Sequence, residues 1–197
     1  MKKLGPIWLV LIGLGLFGCV IASTLIGAYN EMVQSDQQVK NQWAQVENQL
    51  KRRADLIPNL VETVKGFAAQ EKSVISEITD ARAALSGAGT PGEAAQANDA
   101  LSGALGRLLV VVENYPDLKS DKTFIQLMDE LTGTENRIAV ARKDYNEEVT
   151  VYNVMVRRFP RNFIAGMFGF EQAEYFEVSE SDKQTPTVDF NSSGTGN

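Results

Sequence analysis

Two groups of carboxylates in the C-terminal half of the chain have residue types that could bind a metal ion. They are Asp129, Glu130 and Glu135, and Asp144, Glu147 and Glu148. Carboxylate-bridged iron sites in helical bundles also use a Glu-x-x-His motif, and the 197 residues include no histidine. Oxygen ligands alone could hold calcium or magnesium, but a solvated acidic helix face accounts for the same spacing, and we favour that interpretation.

The absence of histidine and the single cysteine, Cys19, restrict the chemistry further. The chain cannot build an imidazole metal site, a Ser-His or Cys-His nucleophile, or an internal disulfide. Lysine or carboxylate chemistry would need a convergent cluster of such groups. We therefore predict no enzymatic activity, no cofactor, and no catalytic or metal-binding residues.

A few polar residues interrupt otherwise apolar helix positions and are candidates for an interaction site. Arg53 and Glu71 do so in one predicted helix, and Thr134 and Glu148 do so in another. They could form a polar layer that fixes register or binds a partner's carboxylate. Alternatively, they could lie at the edge of the packed face or pair with each other, which is the arrangement we expect.

Aromatic residues mark two further candidate sites. Tyr145-Asn146 and Tyr152-Asn153 are seven residues apart, so the tyrosines should pack in the core while both asparagines share an adjacent face. An apolar cluster then follows the last long helix; its members are Phe163, Ile164, Met167, Phe168, Phe170, Tyr175 and Phe176. It could cap the open end of a bundle, which we favour, or dock on lipid or on a protein partner.

Apolar residues with a seven-residue period predict the helices that carry these side chains. In the first half, one heptad position holds Trp43, Leu50, Ile57, Val64, Ile78 and Leu85, and another holds Val46, Leu60, Phe67, Val74 and Ala81. This pattern predicts one long helix that ends at residues 86–92. Nothing stops it from continuing upstream into the N-terminal apolar stretch. Pro58 predicts a bend near Ala54, and the uninterrupted heptad phase favours a kink over a hairpin.

Two more long helices are predicted downstream. The first spans about residues 93–114, with Thr90 as N-cap and Pro91 at the first helical position. The second begins after Ser120 and ends at Phe159-Pro160; its two apolar positions hold Phe124, Leu131, Ile138, Tyr145, Tyr152 and Phe159, and Leu127, Thr134, Ala141, Glu148 and Met155. A short helix is expected over residues 162–170, and the polar residues 178–197 are expected to be disordered.

The predicted helices differ in length, at about 87, 35 and 60 Å. The shorter two cannot cover the apolar face of the first unless that helix folds back at Pro58 into a four-helix bundle. Otherwise a second chain must cover part of it.

An uncharged stretch near the N-terminus predicts a membrane span. Residues 4–28 would form a helix about 37 Å long, enough to cross a hydrocarbon core of about 30 Å. A cleaved signal peptide or a lipidated Cys19 fits less well, because apolar residues continue past Cys19.

The charges flanking the span predict its orientation. Lys2 and Lys3 precede it, whereas Lys40 is the only basic residue in the 20 positions after it, so the N-terminus should be cytoplasmic and the body outside. Residues 29–197 carry 17 basic and 25 acidic groups, a charge of -8, because the two N-terminal lysines are removed from the total of 19. Such a body should not bind nucleic acid.

Long stretches of the sequence resemble the LemA family of bacterial membrane proteins. Residues 50–71, LKRRADLIPNLVETVKGFAAQE, with Tyr29-Asn30 and Trp43 ahead of them, resemble its opening signature, and residues 108–146 and 159–177 resemble its second and third blocks. The resemblance implies an N-terminal anchor, an antiparallel four-helix bundle and no enzymatic activity. It also implies a setting: members often occur beside HtpX-type membrane metalloproteases or TPM-domain proteins, and relatives act in magnetosome membranes. The family is often described with its body in the cytoplasm, opposite to the charge count.

Together these features predict an all-α protein with three parts: an N-terminal cytoplasmic tip and transmembrane helix at residues 1–28, a bundle of long antiparallel helices at 29–177, and a disordered tail at 178–197. We expect a non-catalytic interaction or scaffold module of the bacterial cytoplasmic membrane. It would contact the lipid bilayer through residues 4–28 and a protein partner or a second copy through its body, with no nucleic acid and no small-molecule substrate. The alternative is an accessory or regulatory subunit of an HtpX-like membrane protease.

Overall fold

A computed structural model of the protein describes residues 6–177, except for the side chains of residues 6–10 and 21. The predicted basic tip at Lys2 and Lys3 and the predicted disordered tail at 178–197 lie outside the described residues. The helices are α1 (Pro6–Ala68), α2 (Lys72–Gly87), α3 (Pro91–Val112), α4 (Pro116–Lys119), α5 (Lys122–Arg157) and α6 (Arg161–Phe168). No strand occurs among residues 6–177, so the predicted all-α class is confirmed.

Helix α1 is 63 residues long and runs without a break from the apolar stretch into the body. The sequence allows this continuation, because nothing upstream of Trp43 stops the helix. Its N-terminal part is long and apolar enough to cross a membrane, and the 18-residue window that meets this criterion has a mean hydropathy of 2.2 and no buried residues. In an aqueous fold this exposure would be unfavourable, because each large apolar side chain in contact with water forgoes about 1.5–3 kcal/mol. The exposure is therefore typical of a surface that faces lipid.

The prediction of a single long helix over residues 43–85 is wrong. Helix α1 ends at Ala68, the chain turns at residues 69–71, and α2 then runs back along α1. The heptad pattern does not distinguish this turn from a continuous helix, because Val64 and Ile78, on either side of it, are two full heptads apart. The turn includes Glu71, and a single polar residue at an apolar heptad position also occurs inside continuous helices. The fold-back that makes a four-helix bundle therefore occurs at 69–71 and not at Pro58.

Pro58 lies inside α1, and the helix continues through it. Because proline has no N–H, the carbonyl of Ala54 loses its usual partner in the helix. Arg82 of α2 supplies a replacement, since its Nε donates to the Ala54 oxygen at 3.0 Å. The proline thus leaves an acceptor on α1 that holds the antiparallel helix α2.

Helices α3 and α5 begin at residues whose side chains satisfy one of their first N–H groups. Thr90 Oγ1 accepts from the N–H of Glu93 at 3.2 Å, which confirms the predicted N-cap of α3, and the Glu93 carboxylate accepts from the N–H of Gly89 at 2.8 Å. Asp121 caps α5 by accepting from the N–H of Phe124 at 2.9 Å. These caps fix the ends of the loops, and so the up-down-up-down order of α1, α2, α3 and α5.

The bundle has two parts, which differ in what covers α1 and α5. The section far from the N-terminal apolar stretch is called distal, and the section next to that stretch is called proximal. In the distal section, residues 46–68 of α1 and 122–141 of α5 pack with α2 and α3 around Ile57, Leu60, Leu101 and Ile138, each at most 2% exposed. In the proximal section, residues 28–45 of α1 and 142–157 of α5 are covered by α6 and by residues 170–177. The buried side chains there include Met32, Val149 and Phe176, each at most 1% exposed. Helices α2 and α3 therefore cover only the distal half of the α1–α5 pair.

Two residues assigned to the apolar faces do not pack there. Phe67 is 44% exposed in the last turn of α1, next to the hairpin, and Phe159 is 75% exposed because α5 ends at Arg157 and Phe159 is no longer on the helix. Both residues lie at the end of a helix, where a heptad count still assigns a packed position but the neighbouring helices no longer cover it.

Candidate functional site

The most buried charged side chain is that of Arg53, in the middle of the distal section. It is 3% exposed and contacts two other helices. Its Nη1 contacts Asn98 Oδ1 of α3 and pairs with the Glu135 carboxylate of α5, and its Nη2 donates to Ser102 Oγ at 3.0 Å. The residue thus forms a polar layer across the bundle and does not lie at its edge.

Burial dominates the electrostatics of this layer. It lowers the pKa of Arg53 from its ordinary value, against the opposing effect of the carboxylates of Glu135 and Asp99. Glu135 itself keeps 42% of its side chain exposed, so the pair reaches the surface on one side. An arginine pKa starts so high that the guanidinium remains charged at neutral pH. The polar layer therefore contains a buried cation, Arg53, whose carboxylate partner, Glu135, belongs to the same chain.

The other polar residues of the predicted layer are used separately. Glu71 accepts from the Tyr115 hydroxyl at 2.9 Å in the α1–α2 turn, so Arg53 and Glu71 do not pair. Thr134 is fully buried and donates within its own helix, to the carbonyls of Leu131 and Glu130 at 2.8 and 3.0 Å. The expectation that these residues lie at the edge or pair with each other is therefore wrong for Arg53, which is buried and joins α1 to α3 and α5.

The carboxylates that could have bound a metal ion are spread along α5. Asp129 and Glu130 are exposed, Glu135 pairs with Arg53, and Glu147 lies 3.5 Å from Lys143 at the surface. Among residues 6–177, no group of three or more acidic or cysteine side chains is arranged to hold a metal ion. These side chains act in the structure as ion-pair partners and solvated groups.

The repeated Tyr-Asn pair brings together the largest set of polar contacts. Asn146 and Asn153 each form two hydrogen bonds with the backbone of the C-terminal segment. Asn153 binds the N–H and C=O of Ala173 at 2.8 and 2.9 Å, and Asn146 binds those of Phe176 at 2.9 and 3.2 Å. The Tyr145 hydroxyl donates to the carbonyl of Glu174 at 2.7 Å. We call these two asparagines and the backbone they bind the amide clamp.

The spacing of the clamp matches the geometry of the two segments that it joins. Seven residues of α-helix advance about 10.5 Å, and three residues of extended chain advance about 10 Å. Residues 173–176 can therefore lie along α5 with both backbone sites in register, provided that they are nearly extended. The tyrosine prediction also agrees with the structure, since Tyr145 and Tyr152 are 2% and 3% exposed. Burial, with the nearby Glu174 carboxylate, raises the pKa of Tyr145 to about 12.

The heptad pattern does not predict that the two asparagines bind backbone groups. Periodicity reports which apolar residues pack, whereas an asparagine that binds backbone has no apolar signature. The available signal is the same Tyr-Asn pair at a seven-residue interval, followed by a non-helical segment whose backbone groups need partners.

The apolar cluster divides into two sets. Ile164 and Phe176 are buried, and Phe170 and Tyr175 are partly buried, so these four cover the proximal section as the capping interpretation predicts. Phe176 packs against Trp43, with ring centroids 6.1 Å apart. The remaining members are exposed on the outside of α6: Phe163 at 66%, Met167 at 77% and Phe168 at 58%.

Three exposed valines of α5, separated on the same helix face by Asp144 and Glu147, form a second unpartnered surface, which we call the α5 stripe. Val140, Val151 and Val154 are 60%, 55% and 58% exposed and lie on one face of the helix. Beside Val140 a groove of about 440 Å³ separates α5 from three glutamines of α1, which are Gln42, Gln45 and Gln49. This surface combines apolar side chains with amide groups, as protein–protein interfaces do.

Across the described residues, the polar groups that converge are guanidiniums, amides, hydroxyls and single carboxylates, and they hold helices and chain segments together. The arrangement can bind backbone and fix register. It offers surfaces for contact more than a pocket for a reaction.

Comparisons with known proteins agree with this architecture. The sequence profile of the LemA family matches residues 42–190. Magnetosome protein MamQ 2 of Paramagnetospirillum magneticum is 30% identical over 199 residues, which cover 88% of this chain and 73% of the relative. Magnetosome protein MamQ of Magnetospirillum gryphiswaldense is 30% identical over 198 residues, covering 87% and 73%. Protein LemA of Metamycoplasma hominis is 26% identical over 162 residues, covering 80% and 73%.

Proposed function

The chain belongs to the LemA family, and from that premise we propose that it is a single-pass membrane scaffold that binds a protein partner, or a second copy of itself, without catalysing a reaction. The observation that carries the proposal is the unbroken helix α1. Because the apolar stretch and the bundle share one helix, the body has no flexible linker through which to reorient. A scaffold needs such a fixed relation between its anchor and its binding surface.

The α5 stripe is the surface that we assign to the partner. Its valines stand out of the bundle beside the glutamine-lined groove, so a partner helix would bury apolar area and meet amide donors and acceptors. Two relatives are named magnetosome proteins, and the resemblance to the family implies that such relatives act in magnetosome membranes, which supports a membrane setting here.

Photo-crosslinking in native membranes tests the proposal. A photoreactive residue at Val140 or Val151 should give one discrete adduct, whereas the same residue at Val110 of α3, which is 71% exposed, should give none. A dimer of the chain or a non-proteolytic protein in the adduct supports the scaffold. An HtpX-like metalloprotease selects the alternative, an accessory subunit of a protease, and absence of any adduct at all three positions contradicts both.

The orientation that we propose places the N-terminus in the cytoplasm of a bacterial inner membrane and the body outside. Lys2 and Lys3 against the acidic body support it. A Val110→Cys variant, with Cys19 replaced by serine, should react in intact spheroplasts with a thiol reagent that cannot cross membranes. Reaction only after lysis would place the body in the cytoplasm.

A further inference from the structure

The outside of α6 forms an exposed apolar corner that the bundle does not use. Phe159, Phe163, Met167 and Phe168 are 58–77% exposed, and the rings of Phe159 and Phe163 pack edge to face at 5.9 Å. The opposite side of α6 is buried through Ile164 and Ala165. We call these four exposed residues the α6 corner. An eight-residue amphipathic helix with its apolar side open needs a surface to cover it.

The position of the α6 corner relates it to the membrane. The ring of Phe168 lies 4.8 Å from that of Tyr29, and Arg161 of α6 pairs with Glu31. Tyr29 follows the last residue of the predicted span, and Glu31 is the first charged residue after it. The corner therefore lies at the height where α1 leaves the hydrocarbon, the depth at which aromatic side chains are enriched in membrane proteins.

The charges beside the corner fit an anionic surface. Arg157, Arg158 and Arg161 fall within five positions of a body whose overall charge is negative. Arg161 is neutralised by Glu31, but Arg157 and Arg158 have no ion pair among residues 6–177. Both line a cleft of about 410 Å³, together with Thr150, Gln172 and Tyr175. Guanidinium and hydroxyl groups in such a cleft are suited to a phosphate group.

We propose that the α6 corner is a second membrane contact, in which Phe163, Met167 and Phe168 enter the interface of an anionic bilayer while Arg157 and Arg158 bind phospholipid headgroups. A bilayer is the occupant because the chain itself places the corner there, through a helix that is continuous with the anchor. The inference rests on the proposed membrane crossing. The contact would fix the bundle at two points on the membrane.

Spin labels in the purified full chain, reconstituted into bilayers of phosphatidylcholine and phosphatidylglycerol, test the proposal without a protein partner. The native Cys19 carries a label inside the span. A Met167→Cys variant lacking Cys19 reports on the corner, and Val110→Cys in the same background is the matched control, because both positions are more than 70% exposed. Oxygen and a water-soluble nickel chelate are used as collision probes.

A label that enters lipid collides more often with oxygen and less often with the nickel chelate. We expect this shift at Cys19 and at Met167→Cys, and a water-like ratio at Val110→Cys. If Cys19 reports lipid and Met167→Cys matches Val110→Cys, the second contact is wrong and the membrane anchor stands. If Cys19 itself is water-like, the proposed anchoring fails and this inference fails with it. Low collision with both probes at Met167→Cys would mean burial in protein and would also overturn it.

The headgroup part of the proposal has its own measurement. In bilayers of phosphatidylcholine alone, or in an Arg157→Gln and Arg158→Gln variant, the Met167→Cys label should shift toward the water-like ratio. An Arg137→Gln variant, exposed and remote from the corner, should leave it unchanged. An unchanged ratio in all of these samples would overturn the role of the two arginines.

Discussion

The distal and proximal sections solve the same packing problem by different means. In the distal section, α2 and α3 cover the α1–α5 pair with apolar helix faces. In the proximal section, a short helix and a nearly extended segment cover it, and the amide clamp satisfies part of the backbone of that segment. Helix faces carry their own hydrogen bonds, whereas an extended segment must find partners elsewhere. Polar residues in the distal section, such as Arg53, therefore join helices through their side chains, whereas those of the proximal section satisfy the backbone of a non-helical segment.

The largest expected effect comes from removing the buried ring of the proximal section. Phe176→Ala should destabilise the chain by about 4 kcal/mol, because Phe176 is 1% exposed and the substitution leaves a cavity against Trp43. Denaturant unfolding in detergent micelles measures the loss. Phe67→Ala, at a 44% exposed ring, is the control and should cost about 1 kcal/mol or less. Equal losses would mean that the C-terminal segment is not part of the core.

Arg53→Ala tests whether the distal section depends on its polar layer. We expect a loss of about 3 kcal/mol, because the side chain is 3% exposed and its removal leaves Asn98 buried without its partner. The neighbouring Arg52→Ala, at an exposed position, should change stability by less than about 0.5 kcal/mol. Hydrogen exchange should accelerate in α3 and leave residues 173–176 protected. Exchange that accelerates in both sections would show that they unfold together.

Substitutions in the amide clamp distinguish the two sections most directly, because the clamp belongs to the proximal section alone. Asn146→Ala should cost about 2 kcal/mol, since two backbone hydrogen bonds to Phe176 are lost together. Asn153→Ala should cost a similar amount at Ala173. The double variant should lose less stability than the sum of the two single losses, because breaking the contact at one asparagine already loosens the chain segment that the other asparagine binds. Asn136→Ala, at an exposed amide on α5, serves as the control. Strict additivity would show that the two amides act independently and not as one clamp.

Alkaline pH provides a reversible way to weaken the proximal section. The pKa of Tyr145 is raised to about 12 in the folded state, above the ordinary value of 10.0, so its contribution is complete below pH 10 and is lost as pH rises toward 12. At pH 11 the loss should be about 1.4 kcal/mol. Tyr145→Phe should remove that part of the pH dependence. Parallel stability curves for the two proteins between pH 10 and 12 would contradict the burial of this hydroxyl.

The smallest effect concerns the carbonyl freed by Pro58. Arg82→Met should cost about 1 kcal/mol in the native chain, since it removes the donor to Ala54. In a Pro58→Ala background the new N–H can reach that carbonyl, so the same change should cost less. A double-mutant cycle measures the difference. Equal costs in both backgrounds would show that the arginine does not replace the missing helix bond.

The sequence predicts the helical class, the cap at Thr90 and the packed face of α5 because each depends on local residue types. It does not reveal the turn at 69–71, because the turn preserves the heptad phase between Val64 and Ile78. Of the candidate site, the burial of Tyr145 and Tyr152 is predictable from their spacing. The partners of Arg53, Asn146 and Asn153 are not, since a single sequence does not say which distant segment supplies them.

If residues 4–28 cross the bilayer as proposed, the unbroken helix α1 also makes the protein a lever. Its part beyond the span, residues 29–68, is about 60 Å long, so a change of about 10° in the tilt of the span would move the far end of the bundle by about 10 Å. Transmembrane helices change tilt when the bilayer becomes thicker or thinner. Where the α6 corner is released from the membrane, a small change in bilayer thickness would therefore become a large displacement at the distal end of the bundle, and any partner held there would move with it.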